Sequence, residues 1–378
     1  GALTERDNTH EVLEALADPD KYVIIGTAPS VRVAIGEEFG YPIGTDVEGK
    51  MVSAIKALGA DKVFDVDMAA DMTIMEEGYE FLSRLKDPKA KLPMITSCSP
   101  GWIRYIEYYY PELIGHLSTC KSPQQMFGAI MKTYYAEKFG IDPAKMVVVA
   151  VMPCTAKKFE RTREHQSASG YPDIDVVLTT RELAKLLKSQ GIDLSKMPNG
   201  EFDNPIGEGS SAGLLFGATG GVMEAALRTV YEVVTGKEPE KLDFKAVRGT
   251  KGIKTAVVDM NGTKVKVAVA HTLQNAKTIM EQIKNGTADY QFVEIMTCPG
   301  GCVNGGGQPI HPAKVLNTTD IKTLRAKAIY KSDKKAKIRK SHENPVVKKL
   351  YSEYFGEPNS HKAHEVLHTE YKKRTKFE

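Results

Sequence analysis

Two cysteines stand four residues apart in Glu294-Ile-Met-Thr-Cys298-Pro-Gly-Gly-Cys302-Val-Asn-Gly-Gly-Gly-Gln308-Pro309, an apolar run that ends in a glycine-rich turn. Two more occupy loops of similar character, Thr96-Ser-Cys98-Ser-Pro-Gly-Trp102 and Met152-Pro-Cys154-Thr-Ala-Lys157-Lys-Phe-Glu160. Thiolates are soft ligands suited to zinc or to iron–sulfur centres. If residues 298–302 were helical, both sulfurs would share a face, and the glycines let backbone close tightly on whatever they hold. Zinc sites usually show two short-spaced knuckles, which this chain lacks. Singly each cysteine reads as a buried thiol. Together they read as a metal–sulfur centre gathered from three distant loops. Cys120, the fifth cysteine, falls in no motif and reads as a small packing side chain.

The elements that must deliver these loops are short apolar strands alternating with helices. Strands are expected at residues 22–26, 62–66, 146–151, 175–178 and 292–296, the third delivering Cys154 at its C-terminal end and the last feeding Cys298. A hairpin is expected at 256–260 and 264–270 around Asn261-Gly262. Helices are expected at residues 31–39, 72–85, 102–110, 122–139, 181–189 and about 219–234. Thr179 and Glu182 form a capping box for the fifth. Residues 198–213 read as a long loop over a site. Alternation of this kind argues α/β architecture, with ligands beyond the carboxyl edges of the sheets.

Bulk properties narrow the class. A chain of 378 residues can bury a large core and form two lobes. At 42% hydrophobic and 26% charged it is an ordinary globular composition, and a net charge of +3 is too small to argue for nucleic acid. No apolar run of about 18 residues suggests a membrane span. Sparse cysteines fit a reducing, cytoplasmic setting. The N-terminus, Gly1-Ala2-Leu3, shows neither initiator Met nor signal pattern, as at the cut edge of a longer protein.

The three cysteine stretches resemble the signature segments of the [FeFe]-hydrogenase catalytic domain, TSCCPGW, MPCxxKxxE and ExMxCxxGCxxGGGQP, in that order. The second and third are met in full, and the resemblance runs from Thr27-Ala-Pro-Ser30 to the tail ending at Tyr371. It implies two lobes, each a sheet flanked by helices, with the metal cluster in the cleft between them. Approximate lobes are residues 1–120 and 121–320, with a helical tail at 321–378 wrapping them. It further implies a [4Fe–4S] cluster on Cys154, Cys298 and Cys302, the last bridging to a two-iron subcluster with CO, cyanide and an azadithiolate. Lys157 would donate to one cyanide and Ala28, Pro29 and Ser30 would approach the other, with Gln124, Met152, Phe216 and Met296 lining the pocket. Taken alone, each methionine or aromatic would be ordinary core.

One position departs. The family's remaining cluster cysteine is here Ser99, while Cys98 matches the proton-transfer thiol. Three arrangements satisfy this: Ser99 ligates through oxygen, the loop shifts so that Cys98 ligates, or Ser99 is an engineered change. Pro100-Gly101 fixes the loop register and favours Ser99 at the ligand position.

Glu77, Glu80 and Arg84 share one helix face and by themselves read as a solvated stripe. The resemblance instead places them in a proton path from Cys98 through Glu77, Ser118, Glu80 and Arg84 to the surface. Such a path is needed because heterolytic H₂ cleavage frees a proton that must leave through groups in hydrogen-bond reach.

The implied activity is reversible H₂ oxidation and proton reduction, with ferredoxin as electron partner and maturation proteins inserting the two-iron part. No additional cysteine clusters appear, so electrons are expected to enter the cubane directly. The alternative is a hydrogen-sensing or catalytically disabled relative, motivated by Ser99.

Other patterns carry less. His364-Glu365-Val-Leu-His368 fits H-E-x-x-H but has no third ligand downstream. Gly217-Ala-Thr-Gly-Gly221 lacks the GxxxxGK[ST] of a phosphate loop. The basic run at residues 331–340 reads as a solvated face, or as a dock for an acidic electron carrier.

Overall fold

The computed structural model describes residues 4–375. Eight strands make two sheets: β1 (Tyr22–Thr27), β2 (Lys62–Asp65), β3 (Met94–Ile95), β4 (Met146–Met152), β5 (Val176–Thr179), β6 (Ile253–Met260), β7 (Thr263–His271) and β8 (Phe292–Met296). The first sheet has the order β2-β1-β4-β5 and is parallel throughout, with Ile24 opposite Val148 and Gly26 opposite Ala150. The second has the order β3-β8-β7-β6, parallel except for the β6–β7 hairpin. Parallel sheets bury both faces, and β1 and β4 accordingly read as nearly unbroken apolar runs.

The sheets do not divide at residue 120. β4 and β5 join β1 and β2, while the two-residue β3 crosses over to pair Met94 with Phe292. Parallel neighbours need long crossover connections, so adjacent strands come from distant sequence.

The Asp67–Lys86 helix ties the sheets together. Its Met68, Met72 and Met75 enter the core around the first sheet, and its Ala70, Ile74 and Phe81 enter the core of the second. From the tail, Ile329 packs with Leu215 and Val303, and Val347, Leu350 and Val366 close the first core. No helix among the described residues is long and apolar enough to cross a membrane.

The sequence expectations differ from the structure elsewhere too. Residues 31–34 form turns, followed by a short 3₁₀ helix at Ile35–Phe39. Val31, Val33, Ala34 and Ile35 are all buried, and Arg32 turns inward to Asp65 at 2.7 Å and Asp67 at 3.2 Å. The expected helix at 122–139 is present but passes through a π-helical stretch at Met131–Tyr135. The basic run is not uniformly solvated: Lys340 is buried against Glu232 and Glu343, each at 2.8 Å, and Arg339 holds Asp243 and Asp333, each at 2.7 Å.

Candidate active site

Four parallel strands aim their carboxyl ends at one place. Loops after β1, β3, β4 and β8 carry Ala28–Ser30, Cys98–Ser99, Cys154–Lys157 and Cys298–Cys302. They enclose a cavity of about 270 Å³ whose lining includes Cys98, Ser99, Cys154, Cys298 and Cys302. Ala28, Pro29, Ser30, Gln124, Met152, Lys157, Phe216 and Met296 line the same cavity.

Residues 298–301 form a turn rather than a helix, and only Cys302–Asn304 makes a 3₁₀ turn. Gly300 and Gly301 take φ of +83° and +95°, a region that side chains rarely adopt. The following glycines are compressed against the Cys154 loop. A Cβ on Gly305 would sit 2.2 Å from the Pro153 carbonyl oxygen, and the Gly307 amide donates to that same oxygen at 2.7 Å. Gln308 then ties the turn to the β1 loop, donating to the Ser30 carbonyl at 3.0 Å and the Cys302 carbonyl at 3.3 Å. The glycines of the third motif thus lock three loops together.

A carboxylate braces the same strand end. Buried Glu294 accepts the amides of Gly220 at 2.6 Å and Met223 at 2.8 Å. The glycine turn that could suggest a phosphate loop therefore uses its helix N-terminus on an internal anion.

The thiols are close enough to affect one another. Burial, then Cys154 nearby, raises Cys298 to about 11, and burial with Cys298 and Cys154 raises Cys302 to about 12. Cys154 is also raised, chiefly by burial and against the pull of Lys157. Cys98 stands apart in company: burial, then Glu77, pushes its thiol well up, while Lys157 opposes. Lys157 donates to the Cys98 carbonyl at 3.0 Å and pairs with Glu160 at 2.8 Å. Glu160 also accepts from Ser122 at 2.8 Å and from Gln124 at 3.2 Å.

Ser99, also in the cavity lining, bonds to the third cysteine stretch. Its Oγ lies 2.7 Å from Thr297 Oγ1 and accepts the Thr297 amide at 3.2 Å, one residue before Cys298. Thr297 carries no motif signal that could have singled it out.

The remaining predicted residues form a line away from the cavity. Glu77 is fully buried and neither carboxyl oxygen has a partner at full hydrogen-bond geometry. Burial and then Glu80 raise it to about 8, and the nearby Ser118 hydroxyl and Ser97 amide offset only part of this. Ser118 donates to Glu80 at 2.9 Å, and Arg84 donates to Glu80 at 2.6 Å and to the Leu117 carbonyl at 2.7 Å.

The donor set fits an iron–sulfur cube in kind. Four thiols and the Ser99 hydroxyl line a single cavity, so a cluster held by Cys154, Cys298, Cys302 and Ser99 would have one position harder than the usual thiolate. Residues 21–306 match the family described as "Iron only hydrogenase large subunit, C-terminal domain", and residues 319–374 match "Iron hydrogenase small subunit". The chain belongs to the iron-only hydrogenase family.

Among relatives in that family, the NADP-reducing hydrogenase subunit HndD of Solidesulfovibrio fructosivorans is 49% identical over 382 residues, covering 100% of this chain and 64% of its own length. Iron hydrogenase 1 of Clostridium pasteurianum is 48% identical over 372 residues, covering 98% of this chain and 65% of its own. This chain therefore spans somewhat less than two thirds of both relatives. The structure is similar to that of a variant of apo [FeFe]-hydrogenase HydA1 from Chlamydomonas reinhardtii. The TM-score is 0.85 at 43% identity, covering 98% of this chain and 100% of that one. These structures share the mixed α/β fold with helix-flanked parallel sheets.

Proposed function

We propose that this chain is a hydrogenase catalytic domain that interconverts two protons and two electrons with H₂. The observation that carries the reading is the single cavity lined by Cys154, Cys298, Cys302 and Ser99, with Cys98 on its Glu77 side. Cys154, Cys298, Cys302 and Ser99 would hold a [4Fe–4S] cluster, and Cys302 would bridge to the two-iron part. When bound, that assembly would relay electrons to and from the external carrier and provide the metal site for H₂ chemistry.

The chain's own residues handle position and protons. Lys157, anchored by Glu160, places a fixed positive charge at the wall and would hold an anionic ligand there. Ala28, Pro29 and Ser30 face it from the β1 loop, and Met152, Met296, Phe216 and Gln124 keep the space narrow and dry. Cys98, kept as a thiol by burial, can give or take a proton. Glu77, lifted to about 8, can exist protonated at neutral pH and exchange with Ser118 and Glu80. Residues 1–378 act as one cluster-binding domain.

Ferredoxin or a similar carrier is the proposed electron partner, with maturation proteins installing the two-iron part. Five free cysteines support a reducing, cytoplasmic setting. The test is H₂ evolution with reduced ferredoxin after maturation. Turnover supports the enzyme. H₂ binding with negligible turnover favours the sensing or disabled reading, for which Ser99 is the specific motive.

A further inference from the structure

The proposed relay reaches Glu80 and then, on the Arg84 side, has nowhere to pass a proton. A guanidinium does not deprotonate in proteins, and Arg84 is spent on Glu80 and the Leu117 carbonyl. Arg84 is therefore an anchor that fixes the Glu80 carboxylate. A carrier must lie elsewhere.

The other side of Glu80 offers one. Ligand atoms of Glu80, Cys120 and His368 all fall within 4.8 Å of one another, a span that one water can bridge. Thr119 connects the same groups, its amide donating to Glu80 at 3.1 Å and its hydroxyl meeting His368 Nδ1 at 2.8 Å. His368 Nε2 lies 3.0 Å from buried Glu76, which positions the ring. The His368 ring is 4.0 Å from that of exposed His364. Both histidines line a surface cavity of about 540 Å³.

We propose that protons enter and leave the relay through His368 and His364, not through Arg84. The inference rests on the reading that Glu77, Ser118 and Glu80 form the relay. In the outward step the Glu80 O–H bond breaks and an N–H bond forms on His368, the proton crossing through water. The imidazolium then sheds its proton to His364 or to water in the surface cavity, and Glu80 is left as carboxylate.

Other groups set the working range. Glu76 and Glu80 face His368 from the Asp67–Lys86 helix, Cys120 and Lys121 from the segment before Ser122, and Tyr351 through Glu76. His364, Glu365 and Glu370 face it from the tail, and His165 from across the cavity. Lys121 is committed to Asp173 at 2.8 Å. His364 is held below its ordinary value, first by burial and then by His368.

The test uses the matured enzyme with four variants: His368→Gln, His364→Ala, Arg84→Gln and Glu80→Gln. Infrared bands for CO and cyanide certify that the metal site is intact in each. The histidine variants should lose turnover about tenfold or more at neutral pH, enlarge the solvent deuterium isotope effect, and recover with added imidazole. Exposed His364 covers the case in which His368→Gln disturbs packing around Glu76. Arg84→Gln should lose less than either. If Glu80→Gln is inactive while both histidine variants keep wild-type turnover and pH profile, this outlet is wrong and the relay stands. An active Glu80→Gln overturns the relay itself. A loss in the histidine variants with neither isotope effect nor imidazole rescue marks a structural role and overturns the outlet.

Discussion

Replacing Glu77 by Gln tests what a buried, unpartnered carboxyl costs the fold. Glu77 is 0% exposed, and its pKa moves from an ordinary 4.5 to about 8, mainly through burial. A folded-state value above the unfolded one means that the native chain binds more protons between the two. Stability should therefore fall as pH climbs from about 4.5 to about 8, then level off. The full difference is on the order of 5 kcal/mol, an upper figure because partial opening admits water. The amide does not titrate. Relative to the wild type, metal-free Glu77→Gln should thus gain stability steadily across this window, whatever constant offset its buried amide adds. Urea unfolding of both chains from roughly pH 5 to pH 9 measures the gain. Parallel curves would show that Glu77 keeps an ordinary pKa and is no store for a neutral-pH proton. After maturation the same variant should assemble its cluster yet turn over poorly.

Further outcomes follow from other contacts. Glu80→Gln should bind iron normally but lose turnover by about a hundredfold, seen as H₂ evolution per bound cluster. Ser99→Cys replaces a hard donor with a soft one and should raise the cluster's reduction potential; an unchanged potentiometric titration would mean that Ser99 is no ligand. Gly305→Ala forces a Cβ to within 2.2 Å of the Pro153 oxygen, so iron uptake should drop and stability fall by about 1–3 kcal/mol. Arg228→Met leaves Glu224 and Asp333 short of a fully buried partner, which should cost about 3–5 kcal/mol in denaturant unfolding.

Much of the site was legible because its chemistry is carried by residue types with few other uses. Cysteines beside glycines and a lysine three residues from a cysteine announced themselves, and all line one cavity. The hairpin was equally legible: Asn261 and Gly262 take φ of +55° and +88°, as a two-residue turn with positive φ at both centres requires. What stayed hidden depends on partners far along the chain. Two residues, Met94 and Ile95, become a strand only because β8 lies beside them. Thr297 matters only through Ser99, and Arg339 and Lys340 looked solvated because two of the acids that hold them, Asp243 and Glu232, are remote in sequence. His368 matched a zinc-protease pattern, but the His361–Leu367 helix ends before it and its ring turns to Glu76 and Thr119.

Iron and acid-labile sulfide per chain, measured after anaerobic reconstitution and before any maturation, bear most directly on the central claim. About four of each should bind, falling sharply when Cys154, Cys298 or Cys302 is changed to Ala but not when Cys120 is. Stoichiometric zinc in place of iron, or iron and sulfide retained after all three changes, would contradict it.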